Sequence, residues 1–162
     1  MKEKKITLNF ISSHLSELDI KDQELIANAK EAFVSAYAPY SGFLVGASIL
    51  LNDGQVINGS NQENVAYPSG LCAERVAMFY VGSKFPDIKI RTIAVSVFSK
   101  SFEVTDVISP CGACRQVMAE YEEKQGQPIK VILHSPNDQV LIANKVQDLL
   151  PFMFKSPQLK KH

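Results

Sequence analysis

The hydrophobic positions of the chain follow a helical period in some stretches and form short continuous apolar runs in others. From an N-cap at Asp22 up to Pro39, apolar residues recur every three or four positions. Since proline cannot continue a helix, this pattern predicts a first helix that ends before Pro39. A second helix is predicted to begin near Cys72 and to end at Gly82, and a third covers about residues 112–123.

The continuous apolar runs are typical of β-strands. Residues 44–51 and 55–59 flank an Asp-Gly step, which predicts a β-hairpin. Residues 90–98 are apolar on both faces and predict a central strand that is covered on both sides. Two further strands and a terminal helical turn are predicted at residues 129–133, 140–143 and 146–150. The order α-β-β-α-β-α-β-β-α predicts a mixed sheet with helices on both faces.

Length and charge limit the kinds of function that the chain can have. The 162 residues are expected to form one domain over residues 23–154, with a lead-in segment, 1–22, and a tail, 155–162. Lys and Arg together number 17, as do Asp and Glu, so the formal net charge is zero. A nucleic-acid partner is therefore not expected, and a small-molecule ligand is favoured. Because no apolar run is long enough to span a membrane and no signal-peptide pattern is visible, we expect a cytoplasmic protein.

The three cysteines are Cys72, Cys111 and Cys114, and an odd, sparse set of this kind is a poor disulfide framework. Cys111 and Cys114 lie three residues apart where a helix is predicted to begin, so one helical turn presents both thiols on the same side. The positive end of the helix favours thiolates, and two of them make half a zinc site. With Cys72 as a third ligand, one tetrahedral position stays open for water, as in catalytic zinc sites.

The residues next to Cys72 complete this interpretation. Glu74 lies two residues further on, where it is free for proton transfer if the thiolates bind the metal. Three thiolates around Zn²⁺ leave a formal charge of −1, which weakens the metal as a Lewis acid. We therefore expect the neighbouring Arg75 to donate a hydrogen bond to a thiolate sulfur and to offset this charge.

Two other interpretations of the cysteines stay open on spacing alone. A Cys-x-x-Cys pair can be a thioredoxin-like redox site, although such a site needs no third thiol. A closed structural zinc site needs a fourth protein ligand, for which His14, His134 and His162 are the candidates. None of these histidines lies at ligand spacing from the cysteines, and we interpret all three as surface or strand-end residues.

The motifs in combination resemble one enzyme family. Residues 72–74, Cys-Ala-Glu, together with residues 110–114, Pro-Cys-Gly-Ala-Cys, match the three-cysteine form of a zinc deaminase signature. From about residue 26 to residue 154 the chain resembles the small homotetrameric cytidine deaminases. Other matching segments are residues 38–43, 45–47, 61–64, 67–68, 109–116 and 149–151. The resemblance implies a three-layer α/β/α fold with a mixed, mostly five-stranded sheet, and one zinc ion per subunit.

The resemblance also implies the reaction and its catalytic residue. The expected activity is hydrolytic deamination of cytidine and 2′-deoxycytidine to uridine and 2′-deoxyuridine, in pyrimidine salvage. Zinc-activated water would attack the base, with Cys72, Cys111 and Cys114 as the metal ligands. Glu74 matches the proton shuttle, which takes a proton from the water, delivers it to N3 of the base and helps ammonia to leave.

The substrate-binding residues follow from the same resemblance. Asn61 and Glu63 match the pair that holds the ribose 3′-hydroxyl. The backbone N–H of Ala73 matches a donor to O2 of the pyrimidine, and Phe43 matches an aromatic that packs on the base. Phe154 resembles an aromatic contributed across a subunit boundary, so the resemblance implies a homotetramer with composite active sites.

The sequence departs from the family pattern around the substrate pocket. Val65, Ala66 and Ser69 differ from the usual residues, and the connection at residues 100–106 is longer than is typical. These departures leave open a deaminase of blasticidin S or another modified cytosine nucleoside. A non-catalytic zinc-binding module is the alternative from a different functional class, whereas the neutral charge disfavours an enzyme that edits polynucleotides.

Overall fold

Six strands and three α-helices make up the longer regular elements of residues 1–159, the part of the chain that this computed structural model describes. The strands are β1 (Ile11–His14), β2 (Phe43–Leu51), β3 (Val56–Ser60), β4 (Ile90–Ser99), β5 (Lys130–His134) and β6 (Gln139–Ala143). The helices are α1 (Ile20–Val34), α2 (Ala73–Lys84) and α3 (Gly112–Gln125). The predicted hairpin, central strand and three helices are therefore confirmed.

All six strands form one sheet in the order β1-β6-β5-β4-β2-β3. Strands β4 and β5 pair in parallel and every other neighbouring pair is antiparallel, which confirms the predicted mixed sheet. Because successive side chains of a strand point to opposite faces, β4 contributes to both layers of the core. Ile93 and Val95 belong to the larger hydrophobic cluster with α2 and α3, whereas Ala94 packs in the smaller cluster with α1.

The lead-in segment contains a strand that the sequence did not predict. Residues 1–22 show only weak patterning, yet β1 pairs with β6 and forms one edge of the sheet, with Ile11 opposite Ile142. The sheet consequently has six strands rather than mostly five. Three of the four β1 residues are exposed, so the alternation of buried and exposed positions that identifies a strand is absent.

Helix α1 begins earlier than the sequence predicted, and it ends before Pro39 as expected. Asp19, rather than Asp22, is the N-cap, and its side chain accepts a hydrogen bond of 3.0 Å from the backbone N–H of Asp22. Asp22 is instead buried in the first turn and forms an ion pair with Lys130. The helix ends at Val34, well before Pro39.

Helix α2 does not end at Gly82, as expected, but continues to Lys84. The glycine serves the contact with α3, because a Cβ atom at residue 82 would lie 2.1 Å from the hydroxyl oxygen of Tyr121. Toward the C-terminus the chain forms two short 3₁₀ turns, Val146–Asp148 and Pro157–Leu159. The last part of the predicted tail, residues 160–162, lies outside the described residues.

The order of the elements places two helix N-termini side by side. Both α2 and α3 pack on the same cluster of the core, and each begins with a cysteine as its N-cap. Within the described residues, no helix combines the length and the apolar character that crossing a membrane would require.

Candidate active site

The three cysteine thiols lie together at the N-termini of α2 and α3. Cys72 is the N-cap of α2, Cys111 is the N-cap of α3, and Cys114 lies in the first turn of α3. The sulfur of Cys111 is 3.8 Å from that of Cys72 and 3.4 Å from that of Cys114. Across residues 1–159, this is the one group of three or more His, Cys, Asp or Glu side chains whose ligand atoms all lie within 4.8 Å of one another.

This arrangement fits a zinc ion. In a tetrahedral site with Zn–S distances of about 2.3 Å, two sulfur atoms are separated by about 3.8 Å, close to the distances observed between the thiols. Neither N-cap cysteine uses its side chain to cap the helix backbone, so both thiols are available to a metal. The three thiols, together with Glu74 and Arg75, are called the cysteine site below.

The thiols share their protons unequally. The hydrogen bond from Cys114, supported by Arg75 and Cys111, lowers the pKa of the Cys72 thiol to about 5. The same hydrogen bond to Cys72, together with burial, raises the pKa of Cys114. Cys72 therefore becomes a thiolate, the form in which cysteine binds metals, more readily than Cys114 does.

Arg75 contacts the trio as the sequence predicted. Its Nη2 atom donates a hydrogen bond of 3.6 Å to the sulfur of Cys72. This places a positive charge beside Cys72, which stabilises negative charge on the sulfur.

Glu74 is a buried carboxyl group beside the thiols. Only 4% of its surface is exposed, and its Oε2 atom has no hydrogen-bond partner. Burial raises the pKa of Glu74 above its usual range, and the neighbouring Cys72 raises it further. Among the described residues, Glu74 Oε2 and Arg75 Nε are the buried side-chain nitrogen or oxygen atoms without a partner. Because an unpaired buried polar group costs free energy, their position indicates a site built to receive a ligand.

The cysteine site opens into a cavity of about 700 Å³, a volume typical of small-molecule sites. Cys72, Glu74, Arg75 and Cys111 line one side. The rest of the wall comes from β2 and the segment before it, β4, the loop after β3 and the segment before α3.

Asn61 and Glu63 both line this cavity, and each also ties neighbouring segments together. The amide of Asn61 accepts a hydrogen bond of 2.8 Å from the backbone N–H of Val45 and donates one of 2.9 Å to the carbonyl of Phe43. The carboxylate of Glu63 accepts from the hydroxyl of Ser41 and from backbone N–H groups, which lowers the pKa of Glu63. Carboxylate and amide oxygens can each accept more than one hydrogen bond, so both side chains can still meet a ligand.

The remaining predicted substrate residues occupy different places. Phe43 lines the cavity, and Ala73 is the first residue of α2, where a backbone N–H has no partner within the helix. Phe154 lies outside the cavity of its own chain, with 72% of its surface exposed. Its backbone is held by Gln116, which accepts from Phe154 N at 2.9 Å and donates to Phe154 O at 2.8 Å.

Three aromatic residues and a serine near the site were not predicted as site residues, although Tyr40, Ser41 and Tyr67 lie in segments that match the family pattern. Tyr40 and Tyr67 line the cavity and meet edge to face with ring centroids 5.8 Å apart. Ser41 fixes Glu63, and the ring of Phe102 stacks on Phe43. All four lie outside the strands and α-helices, where hydrophobic periodicity predicts no contacts.

The histidines considered as zinc ligands lie elsewhere. His14 is exposed and caps a 3₁₀ turn, as expected for a surface residue, whereas His162 lies outside the described residues. His134 is at the end of β5 but is buried rather than on the surface. Its Nδ1 atom is 3.0 Å from the hydroxyl oxygen of Ser96, and its Nε2 atom is 3.0 Å from Oδ1 of Asp138. These three residues are called the histidine cluster.

The chain is similar in sequence to known cytidine deaminases. The family model for the cytidine and deoxycytidylate deaminase zinc-binding region matches residues 19–126. The cytidine deaminase of Halalkalibacterium halodurans is 44% identical over 98 residues, which cover 60% of this chain and 70% of that protein. A probable cytidine deaminase of Dictyostelium discoideum is 32% identical over 145 residues, covering 85% of this chain and 86% of that protein.

Solved structures give the same result for the fold. The crystal structure of cytidine deaminase from Burkholderia pseudomallei superposes with a TM-score of 0.69 at 40% identity, covering 81% of this chain and 97% of the other. That of cytidine deaminase from Mycobacterium tuberculosis has a TM-score of 0.66 at 33% identity, covering 85% and 100% of the two chains.

Proposed function

Because this chain belongs to the cytidine and deoxycytidylate deaminase family, we propose that it hydrolyses cytidine and 2′-deoxycytidine to uridine and 2′-deoxyuridine, with release of ammonia. This is a reaction of pyrimidine salvage. The family assignment also confirms the predicted α/β fold and a zinc ion as the cofactor. The observation that carries the proposal is a buried, partly unpaired carboxyl group, Glu74, that lines the same cavity as Cys72 and Cys111, two members of a trio of thiols.

Cys72, Cys111 and Cys114 would hold the zinc ion. When bound, zinc lowers the pKa of water in its open coordination position to about 7, which supplies a nucleophile at neutral pH. Arg75 would offset part of the negative charge of the thiolates through its contact with Cys72.

Glu74 would transfer the protons. It accepts one proton from the attacking water and delivers it to N3 of the pyrimidine, while the oxygen of the water bonds to C4. Glu74 then moves the proton of the new hydroxyl group on C4 to the amino group; the C4–N bond breaks, ammonia leaves, and C4 becomes the carbonyl carbon of uridine. The raised pKa of Glu74 suits this role, because a group that must both take and give a proton works best when its pKa lies near the working pH.

The rest of the cavity would position the nucleoside. Asn61 and Glu63 would bind the ribose 3′-hydroxyl, and their hydrogen bonds to β2 and to the segment before it hold both side chains in place. The backbone N–H of Ala73 would donate to O2 of the pyrimidine, and Phe43 would pack against the base.

We also propose a homotetramer whose active sites are composite. In support, Phe154 is exposed and lies outside its own cavity, while Gln116 fixes its backbone, so the ring is available to a neighbouring subunit. The predicted cytoplasmic location is supported by the three free thiols, which a reducing compartment preserves. Residues 23–154 would form the catalytic unit.

The direct test is turnover of cytidine, followed by the loss of its ultraviolet absorbance, beside metal analysis of the same sample. We expect activity in the purified protein, its loss after treatment with a zinc chelator, and its return on adding zinc. Blasticidin S assayed in parallel distinguishes a modified-nucleoside deaminase. Zinc-loaded protein that deaminates neither compound would contradict the proposal.

A further inference from the structure

We propose that Phe102 is a positioning residue that holds the ring of Phe43 against the nucleoside and thereby sets the affinity for substrate. This inference rests on the proposed function, because it requires a nucleoside base in the cavity that Phe43 lines. Phe102 itself lies outside the cavity wall and would act through Phe43.

The two rings form a stacked pair. Their centroids are 5.9 Å apart and their planes differ by 8°, an offset parallel arrangement that aromatic rings favour. Phe43 is half-buried and lines the cavity, whereas 57% of Phe102 is exposed. Phe102 therefore covers part of the Phe43 ring without contributing to the core.

The backbone that carries Phe102 is fixed to the end of β4. The hydroxyl of Ser99 accepts hydrogen bonds from the backbone N–H groups of Ser101, at 3.1 Å, and Phe102, at 3.2 Å. Two donors on one oxygen hold residues 99–102 in a tight turn, so the position of Phe102 is determined by the sheet rather than by a free loop.

The same turn is also attached to the segment that leads into Phe43. The backbone N–H of Lys100 donates to the carbonyl of Gly42 at 3.0 Å, and Ser101 Oγ donates to the carbonyl of Ser41 at 3.4 Å. Gly42 has φ of +65°, and a Cβ there would lie 2.6 Å from Ser101 Oγ. A glycine at residue 42 therefore permits both the backbone conformation and the close approach.

Ser41 connects Phe43 and the turn at residues 99–102 to the other side of the cavity. Its hydroxyl oxygen accepts a hydrogen bond of 3.0 Å from the backbone N–H of Phe43 and donates to the carboxylate of Glu63. The orientation of Phe43, set by Phe102, is thus coupled to the residue proposed to bind the ribose. We infer that Phe102 affects binding of the nucleoside more than the chemical step.

The test compares two exposed phenylalanines, each stacked on another phenylalanine. Phe98 is 44% exposed and stacks on Phe33 with centroids 6.1 Å apart, and neither ring lines the cavity. Phe102→Ala should raise KM for cytidine by about three- to tenfold, the effect expected for one stacked pair, and leave kcat within twofold. Phe98→Ala should leave both constants within twofold, and Phe102→Tyr should restore the wild-type KM.

A double variant tests whether Phe102 acts through Phe43. KM of Phe43→Ala/Phe102→Ala should lie within twofold of KM for Phe43→Ala, because the second substitution then removes a contact that no longer exists. An unchanged KM in Phe102→Ala, an equal rise in Phe98→Ala, or multiplicative effects in the double variant would overturn the inference. Wild-type protein without cytidine turnover would instead contradict the proposed function, and this inference with it.

Discussion

The cysteine site and the histidine cluster are two groups of polar residues on opposite faces of the same sheet, and each is centred on a buried titratable side chain, Glu74 in one and His134 in the other. Ser96 lies between Val95 and Val97 on β4, and these two valines line the cavity of the cysteine site. Ser96 points the other way and contacts His134, which also contacts Asp138. A hydrogen-bonded series of serine, histidine and aspartate is typical of hydrolases with a catalytic triad. Ser96, however, is fully buried, so no substrate can reach it.

The two groups differ more clearly in whether their buried polar atoms have hydrogen-bond partners than in the types of residue they contain. In the histidine cluster the carboxylate of Asp138 can only accept, so His134 Nε2 carries the proton and Nδ1 accepts from the hydroxyl of Ser96. In the cysteine site, Glu74 and Arg75 each keep an unpaired buried atom next to a cavity. A fully paired group stabilises the fold, whereas a partly unpaired one beside open space is suited to bind and transform a ligand.

The largest difference between the two groups is expected from removing one thiol. Cys111→Ala should lose zinc and reduce cytidine turnover by more than about 10³-fold, since two ligands cannot hold a catalytic zinc ion. Because Cys111 is exposed, the melting temperature of the metal-free variant should match that of metal-free wild type. Metal analysis and kinetics measure both effects, and full zinc content with normal turnover would exclude Cys111 as a ligand.

Arg75→Ala should have an intermediate effect. Loss of a group that supports the metal ligands typically weakens metal affinity or activity by about 10–100-fold. Competition with a chelator of known affinity, together with kcat, measures this change. Arg75→Lys keeps the charge and serves as the control, and wild-type values in Arg75→Ala would show that its contact with Cys72 has no such role.

Ser96→Ala should reduce the stability of the protein but not its activity, the opposite of the result expected for Cys111→Ala. The substitution removes one hydrogen bond to His134 inside the histidine cluster, so the free energy of unfolding should fall by about 1–3 kcal/mol. Zinc content, kcat and KM should remain within twofold of wild type. Chemical denaturation and cytidine kinetics measure the two properties, and a large loss of kcat in a folded variant would break the distinction between the groups.

A smaller effect should appear in the pH dependence of stability. Burial lowers the pKa of His134 below its usual value of 6.5. As pH falls below 6.5, the unfolded chain takes up a proton more readily than the folded protein does, so the free energy of unfolding should decrease as the pH is lowered. His134→Gln should show a shallower dependence between pH 7 and pH 5.5, and equal slopes in denaturation experiments would contradict this role.

Local patterns predicted much of the fold and the centre of the site. The hairpin, the central strand and the cysteines at two helix starts all follow from residue spacing and turn chemistry. Strand β1 could not be predicted because its pairing partner, β6, is more than 120 residues away in the chain and most of β1 is exposed. The cap at Asp19 instead of Asp22 was missed because two aspartates three residues apart satisfy the same rule.

The remaining features depend on contacts that spacing does not reveal. The burial of His134 comes from its partners Ser96 and Asp138, and the stacking of Phe102 on Phe43 joins two irregular segments. Phe154 was expected to contribute to the active site of a neighbouring subunit. It lies outside the cavity of its own chain, and its contribution to a neighbouring subunit stays a proposal.

The central claim is that the thiols bind the metal and Glu74 moves the protons. Glu74→Gln tests it most directly, because glutamine keeps the size of the side chain but cannot take up or release the proton. We predict about one zinc ion per chain, as in wild type, and a kcat for cytidine that is lower by about 10²–10⁴-fold. Retained zinc with a kcat within threefold of wild type would contradict the account.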